Sequence, residues 1–365
     1  MITATDLLEG PRGRRFILEL LRAGTGRSGA ADRLGSMLFW ADVHLTRTQG
    51  RDVGLWGLTL DDSGTVTTTA ADTEPMPDLT AVATALDAVE PEVPTPDHAV
   101  EALEQTADSS LWWQERDATD DLLARPELIA PLRRLAVRAA ASPVVQRLGE
   151  PAPAQWAVTF DRDDAGHPAP PMPEALAEWA GRVRADQVEG TDGPSSGEWW
   201  TTPPWPAPQT SPAPFADHGP LALWAVEDAF GWQRAEVTEA RAGRPTRAMV
   251  VDSPEDWADL CRRFPLDVGS TTRRWDWGAA TGREGAWVMP DWSRAASEID
   301  VVELTVRGWF RCSGLVVPVD DDRASVVAGW TPGSRYWLTE PGPACDRSSS
   351  WSRDQNHGSW SRTTG

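Results

Sequence analysis

The sequence predicts an α+β protein, mainly helical in its N-terminal half, with a mixed, mostly antiparallel sheet and short helices in its C-terminal half. Three observations carry that prediction. Apolar residues recur at helical spacing in several stretches before residue 190, and short valine-rich alternating runs follow residue 215. Between them, residues 189–214 replace periodic hydrophobics with proline, serine, glycine and threonine. The expected organisation is a helical domain over 1–188, a Pro/Trp-rich connecting segment over 189–214, an α+β domain over 215–340 and a disordered tail over 341–365.

The first helix is expected over residues 6–23, where Phe16, Ile17, Leu20 and Leu21 share a face opposite Glu19 and several arginines. Residues 72–98 enclose one short helical pattern, Leu79 to Val89, between proline and acid clusters, which suggests a surface excursion. Leu132, Leu135, Ala136 and Ala139 form the stripe of a helix over 130–141, with Pro131 in its first turn and Arg133, Arg134 and Arg138 on a solvated face. The connecting segment carries Trp199, Trp200 and Trp205, which a free linker has no reason to hold, so it is expected to be pinned against the body.

In the second half, residues 221–228, 235–240 and 247–252 read as short strands. Ser253, Pro254, Glu255 and Asp256 then supply a cap, a first-turn proline and two acids suited to a helix N-terminus. Trp257, Leu260, Cys261 and Phe264 follow at core spacing. A short helix is expected after Asp291, a strand over 301–306, a hairpin from 315–319 and 324–328, and a last strand over 335–338.

Composition closes off several kinds of chemistry. With 34 basic and 55 acidic residues the formal charge is −21, and no basic run exceeds two residues, as at Arg14-Arg15, so no nucleic-acid partner is expected. No apolar stretch reaches the roughly 18–20 residues of a bilayer span, and the N-terminus has no apolar leader. A cytoplasmic protein without a membrane partner is the expectation. Three widely spaced cysteines form no zinc pattern, and no metal is expected. Every basic side chain is arginine; without lysine there is no Walker lysine, no Schiff base and no Ser-Lys nucleophile pair. Part of this reflects a GC-rich coding bias, which also depletes asparagine, isoleucine and tyrosine. The 21 tryptophans beside seven phenylalanines ask for more, namely large amphipathic rings in a core or around a ligand.

Several motifs reduce to ordinary loops. Gly24 to Gly29 has dinucleotide-fingerprint spacing but follows a helix instead of a strand. Gly193-Pro194-Ser195-Ser196-Gly197 has the letters of a nucleophile elbow without the flanking strand and helix. Asp320, Asp321 and Asp322 lack the alternation of a calcium loop. The Arg273-Arg274-Trp275-Asp276-Trp277 run is more pointed, because two guanidinium groups beside two indoles can stack on a planar ring and clamp an anion. His218, beside Asp217 in the loop before Leu221, is the one histidine with both an adjacent orienting carboxylate and a plausible cleft position.

The runs from Trp287 to Val306 and from Val326 to Leu338 resemble segments of actinobacterial proteins, and their order is loosely similar to the C-terminal part of ADP-ribosyltransferase-fold domains. That resemblance implies a split-sheet cleft gripping NAD, with Glu303 as the catalytic carboxylate, Arg234 or His218 as the early-strand residue and Thr201-Thr202 as the hydroxyl element.

Two readings follow, and the sequence does not decide whether the protein is an enzyme. In the first, a cofactor-free protein binds a protein or small-molecule partner through Arg273, Arg274, Trp275, Trp277, Thr201 and His218. In the second, an NAD-consuming transferase or glycohydrolase acts through Glu303, which stabilises positive charge developing on ribose. Both place the site in the C-terminal half; convergence of Trp275, Glu303 and Trp330 on one deep cavity favours a small-molecule site, and a flat tryptophan-rich face favours a protein partner.

Overall fold

A computed structural model describes residues 1–25, 29–48, 50, 56–60, 66–70, 75–152, 154–161, 170–186, 196–241, 247–340, 342–353 and 358–363, with the backbone alone for 56–60, 66–70 and 344–346. The α+β class is as the sequence predicts, with helices mainly N-terminal and antiparallel-rich sheets in the C-terminal half. Parts of the glycine motif at 24–29 and of the serine loop at 193–197 lie outside the described residues.

Among the described residues eight helices precede residue 150: α1 (Ala4–Glu9), α2 (Pro11–Gly24), α3 (Gly29–Thr48), α4 (Leu79–Ala88), α5 (Pro96–Asp108), α6 (Ala118–Leu123), α7 (Pro126–Ala141) and α8 (Pro143–Leu148). They are joined by a small antiparallel pair, β1 (Trp56–Leu60) with β2 (Val66–Ala70). The single helix expected over 6–23 is two helices. The chain breaks at Gly10, which is extended at φ −100° and followed by Pro11 in the first turn of α2; the position must be glycine, because a Cβ there would lie 2.2 Å from the Phe310 carbonyl oxygen. Pro126, not Pro131, occupies the first turn of α7, so that helix starts a turn earlier than predicted and carries Pro131 in its interior.

Beyond residue 150 come β3 (Gln155–Phe160), α9 (Met172–Ala185), β4 (Gln209–Thr210), β5 (Arg234–Arg241), β6 (Ala248–Val251), α10 (Pro254–Arg263) and β7 (Pro265–Asp267). They are followed by α11 (Arg273–Thr281), β8 (Ala286–Pro290), α12 (Trp292–Ala295), β9 (Val301–Leu304) and α13 (Val306–Cys312). The chain ends in β10 (Val317–Pro318), β11 (Arg323–Ser325), β12 (Arg335–Trp337), β13 (Ala344–Ser352) and β14 (Ser361–Arg362). Three four-stranded sheets result, in the orders β10-β11-β8-β7, β4-β12-β9-β6 and β14-β13-β5-β3. The pairs β6/β9 and β11/β8 are parallel; every other pair in these sheets is antiparallel.

Two expectations change. Residues 221–228 are not a strand: Leu221–Leu223 form a 3-10 turn after Pro220, and their apolar side chains are buried as a turn rather than as a ladder. The tail expected to be disordered supplies β13, which pairs with β5 from Ala344 to Ser352 and buries Trp351 and Trp360 against Trp224 and Val237. The consecutive Ser348, Ser349 and Ser350 leave β13 without apolar alternation, and that polarity hid the strand from a hydrophobic-periodicity reading.

The main core runs from Ile2, just before α1, to Leu338, just after β12, and joins helical and sheet residues; a second, smaller cluster forms around Trp224, Val237 and Trp351. Tryptophans fill much of it: Trp112, Trp257, Trp277, Trp287, Trp292, Trp309 and Trp330 are all fully buried. Among the described residues no helix is long and apolar enough to cross a membrane.

Candidate functional site

The arginine-tryptophan run Arg273–Trp277 forms the first turns of α11 and grips the protein's own chain. Arg273 is 1% exposed; its Nη2 donates to Glu198 Oε2 at 2.7 Å and its Nε reaches the Trp200 carbonyl at 3.5 Å. Asp276 accepts from the Gly197 amide at 3.1 Å, and Trp277 Nε1 donates to the Trp199 carbonyl at 2.7 Å. Burial pushes the Asp276 carboxyl above its ordinary range, against the pull of the Gly197 and Ser196 donors and the Arg273 charge. Four contacts thus lock residues 197–200 onto α11. The guanidinium-indole chemistry read from the sequence is present, with the Arg274 guanidinium 4.5 Å from the Trp275 ring centroid, but its main task is internal.

Thr201 is likewise a structural hub. It is fully buried, exchanges hydrogen bonds with Ala328, accepts from Trp330 Nε1 at 3.2 Å through its hydroxyl, and accepts from Trp292 Nε1 at 3.2 Å through its carbonyl. His218 sits in a short 3-10 turn and bonds Asp97 of α5 at 2.6 Å, not the neighbouring Asp217. Glu303 lies on β9 directly opposite Arg335 of β12 and receives its Nε at 2.7 Å. Trp330 is buried against Trp257, Trp292 and Tyr336 at centroid distances of 5.9, 6.2 and 5.0 Å. The cavities of about 230, 60 and 420 Å³ are lined by residues other than Trp275, Glu303 and Trp330.

The residue that sequence reading missed is Glu227. It is 5% exposed, and its carboxylate accepts from Trp112 Nε1 (2.8 Å), Trp309 Nε1 (3.1 Å), Ser313 Oγ (2.8 Å) and the Gly329 amide (2.7 Å). Burial pushes its carboxyl upward, while the Arg12 charge and these donors hold it down. Because Trp112 follows α5 and the other partners belong to the sheet-bearing half, this carboxylate ties the two halves together. No local pattern marks it, since its donors come from three distant stretches of chain.

Beside it runs a seam of buried charge. Arg12 Nη1 meets Asp120 Oδ2 at 3.0 Å, and Arg15 pairs with Glu19 at 2.7 Å and Asp117 at 3.0 Å. Arg12 Nε and Asp120 Oδ1 are buried without a hydrogen-bond partner, and both residues line a polar cavity of about 60 Å³ with Trp112, Arg116 and Asp117. That volume suits a few ordered waters.

A larger, mainly apolar cavity of about 230 Å³ opens within the helical layer. Ile17, Leu20 and Leu21 of α2 form one wall and Leu135 and Ala139 of α7 the other, while residues 91–94 cross it as a strap. The space has a local cause. The inward stripe of α7 shortens from leucine to alanine at Ala136 and Ala139, and Pro91 and Pro94 hold the strap extended instead of letting it settle into the gap. At the edge of this cavity stands Ser142, 6% exposed, whose hydroxyl has no partner although the residue is the N-cap of α8. A serine in that place ordinarily caps the helix. Here the hydroxyl forgoes the cap and is buried without a partner.

Comparison with known proteins finds no matching family model, no matching curated protein and no matching solved structure.

Proposed function

We propose that the protein is a non-covalent binding protein that holds a small ligand with an apolar body in the cavity between α2 and α7, beneath the 91–94 strap. The observation that carries this reading is a cavity of about 230 Å³ with leucine, isoleucine, alanine and proline walls. A dry engineered cavity of about 150 Å³ accepts benzene, so this volume accommodates a ligand of that size or somewhat larger. The Trp/Arg segment first suggested by the sequence is engaged in holding residues 197–200, which moves the binding reading to the helical layer.

The test is thermal unfolding with benzene and with indole, on the unaltered protein and on Ala139→Phe, whose ring fills the cavity. A ligand that binds only the native state raises the melting temperature as its concentration exceeds the dissociation constant. The expected result is a saturable rise in the unaltered protein that is absent in Ala139→Phe. No rise with either probe, or an equal rise in both proteins, overturns the reading.

A further inference from the structure

Resting on that reading, we infer that residues 90–94 are the lid of the cavity between α2 and α7, a stiff strap that swings aside to admit the ligand and is latched by the Arg138–Glu90 ion pair.

The ends of the strap are held differently from its middle. On the α4 side Val89 is 2% exposed in the core, and Arg134 of α7 grips the end of the helix through the Asp87 carboxylate at 2.9 Å and the Leu86 and Asp87 carbonyls at 3.3 and 2.8 Å. On the other side Thr95 caps α5, its hydroxyl accepting from the His98 amide at 3.3 Å. Between these anchors, among the described residues, no backbone hydrogen bond involves residues 90–94. Their one side-chain tie there is Arg138 Nη1, which donates to Glu90 Oε2 at 2.8 Å.

The sequence makes this middle piece rigid. Pro91 and Pro94 fix their own φ, and Glu90 and Val93 each precede a proline, which keeps them extended; Thr95 precedes Pro96 in the same way. A segment so restricted does not fold down into the space beneath it, and it moves as one piece about its ends. The other walls are the continuous helices α2 and α7 with their core stripes, whereas Val93 of the strap is 82% exposed. The part of the enclosure with the fewest hydrogen bonds and the least burial is the part that opens at the lowest cost.

The ion pair joins strap to wall. Arg138 lines the cavity and Glu90 does not, so the carboxylate holds the strap without forming part of the ligand's surroundings. With the two side chains 48% and 77% exposed, the pair is a weak tie that dissolved salt screens.

The experiment measures exchange of fluorobenzene between cavity and solution by fluorine NMR magnetisation transfer, together with its dissociation constant, on the full chain at low salt. In Glu90→Gln exchange should quicken about threefold, as for loss of an exposed ion pair, with association and dissociation raised alike and the dissociation constant unchanged. Adding Arg138→Gln to Glu90→Gln should quicken exchange no further, because the pair is already broken. Sodium chloride at about 0.5 M should bring the unaltered protein to the rate of Glu90→Gln and leave that variant as it was. Glu150→Gln, which breaks the exposed Arg147–Glu150 pair outside the strap, should exchange like the unaltered protein.

An unchanged rate in Glu90→Gln, or the same acceleration in Glu150→Gln, overturns the lid while leaving the cavity reading intact. Faster dissociation with unchanged association places Glu90 at the bound ligand instead of at a latch, and overturns the lid as well. Fluorobenzene that fails to bind, or that binds Ala139→Phe equally, overturns the cavity reading and the lid together.

Discussion

The tryptophan-rich core beneath the sheets and the helical layer around α2 and α7 solve the same packing problem in opposite ways. Below the sheets, indoles meet edge to face: Trp257 and Trp330 lie 5.9 Å apart at 85°, and Trp277 and Trp287 lie 5.5 Å apart at 80°. Four ring nitrogens are matched to buried acceptors, Ser325 for Trp257, Trp199 for Trp277 and Thr201 for both Trp292 and Trp330, while those of Trp337 and Trp360 are buried without one. In the helical layer the side chains are leucine and alanine, the helices are bridged by proline-bearing connections, and a cavity with an orphaned hydroxyl remains. The contrast teaches that the indole clusters pack closely on one another, while between α2 and α7 small aliphatic residues leave a space unfilled.

The sharpest way to break this comparison is to remove the group both regions share. Glu227→Ala leaves two indole N–H groups, the Ser313 hydroxyl and the Gly329 amide without their acceptor, and removes the carboxylate whose field acts on Arg12. A loss of about 3–5 kcal/mol is expected, measured by urea unfolding. Near-neutral behaviour would mean that the two halves are held by apolar contact alone.

A smaller effect separates the regions by pH. Burial pushes the Cys261 thiol up to about 12 and moves Cys312 and the single tyrosine, Tyr336, upward as well. All three lie in the sheet-bearing half. A raised native pKa means that the folded chain keeps protons the unfolded chain has lost, so this stabilisation is complete below the unfolded values. It is lost as pH rises past roughly 8.5 for the thiols and 10 for the phenol. Urea midpoints should therefore fall between pH 8.5 and 11, with a shallower fall in Tyr336→Phe above pH 10. In a Cys345→Ser background neither remaining thiol should react with iodoacetamide while the protein is folded; prompt labelling at pH 8 would show that the core opens readily.

How far the sequence could anticipate this follows from where each signal resides. Helix α10 was legible because its cap, first-turn proline and core stripe lie within twelve residues, and the structure repeats them, with Ser253 accepting from the Asp256 amide. The strand around Glu303 and the hairpin after Val317 were legible for the same local reason. What escaped is non-local. The run Arg273–Trp277 shows its chemistry in five letters, but its partner is a stretch some 75 residues earlier, with |i−j| of 75 for Arg273 and Glu198. Glu227 looks like any acid near a turn until three distant segments converge on it. The cavity between α2 and α7 is the hardest to foresee, because it consists of side chains too small to fill a gap that only tertiary packing defines.

Glu303 supplies the smallest effect and the cleanest contrast with Glu227. Both are carboxylates in the same half, but Glu303 is 24% exposed, has Arg335 directly across the strand pair at 22%, and replaces no buried donor set. A partly exposed cross-strand pair of this kind is worth about 0.2–1 kcal/mol. Glu303→Gln should thus shift the urea midpoint slightly, with a stability change under about 1 kcal/mol, where Glu227→Ala is costly. The same variant addresses the enzymatic reading directly. Release of nicotinamide from NAD by the unaltered protein, lost in Glu303→Gln without a matching loss of stability, would give this carboxylate a task beyond holding Arg335.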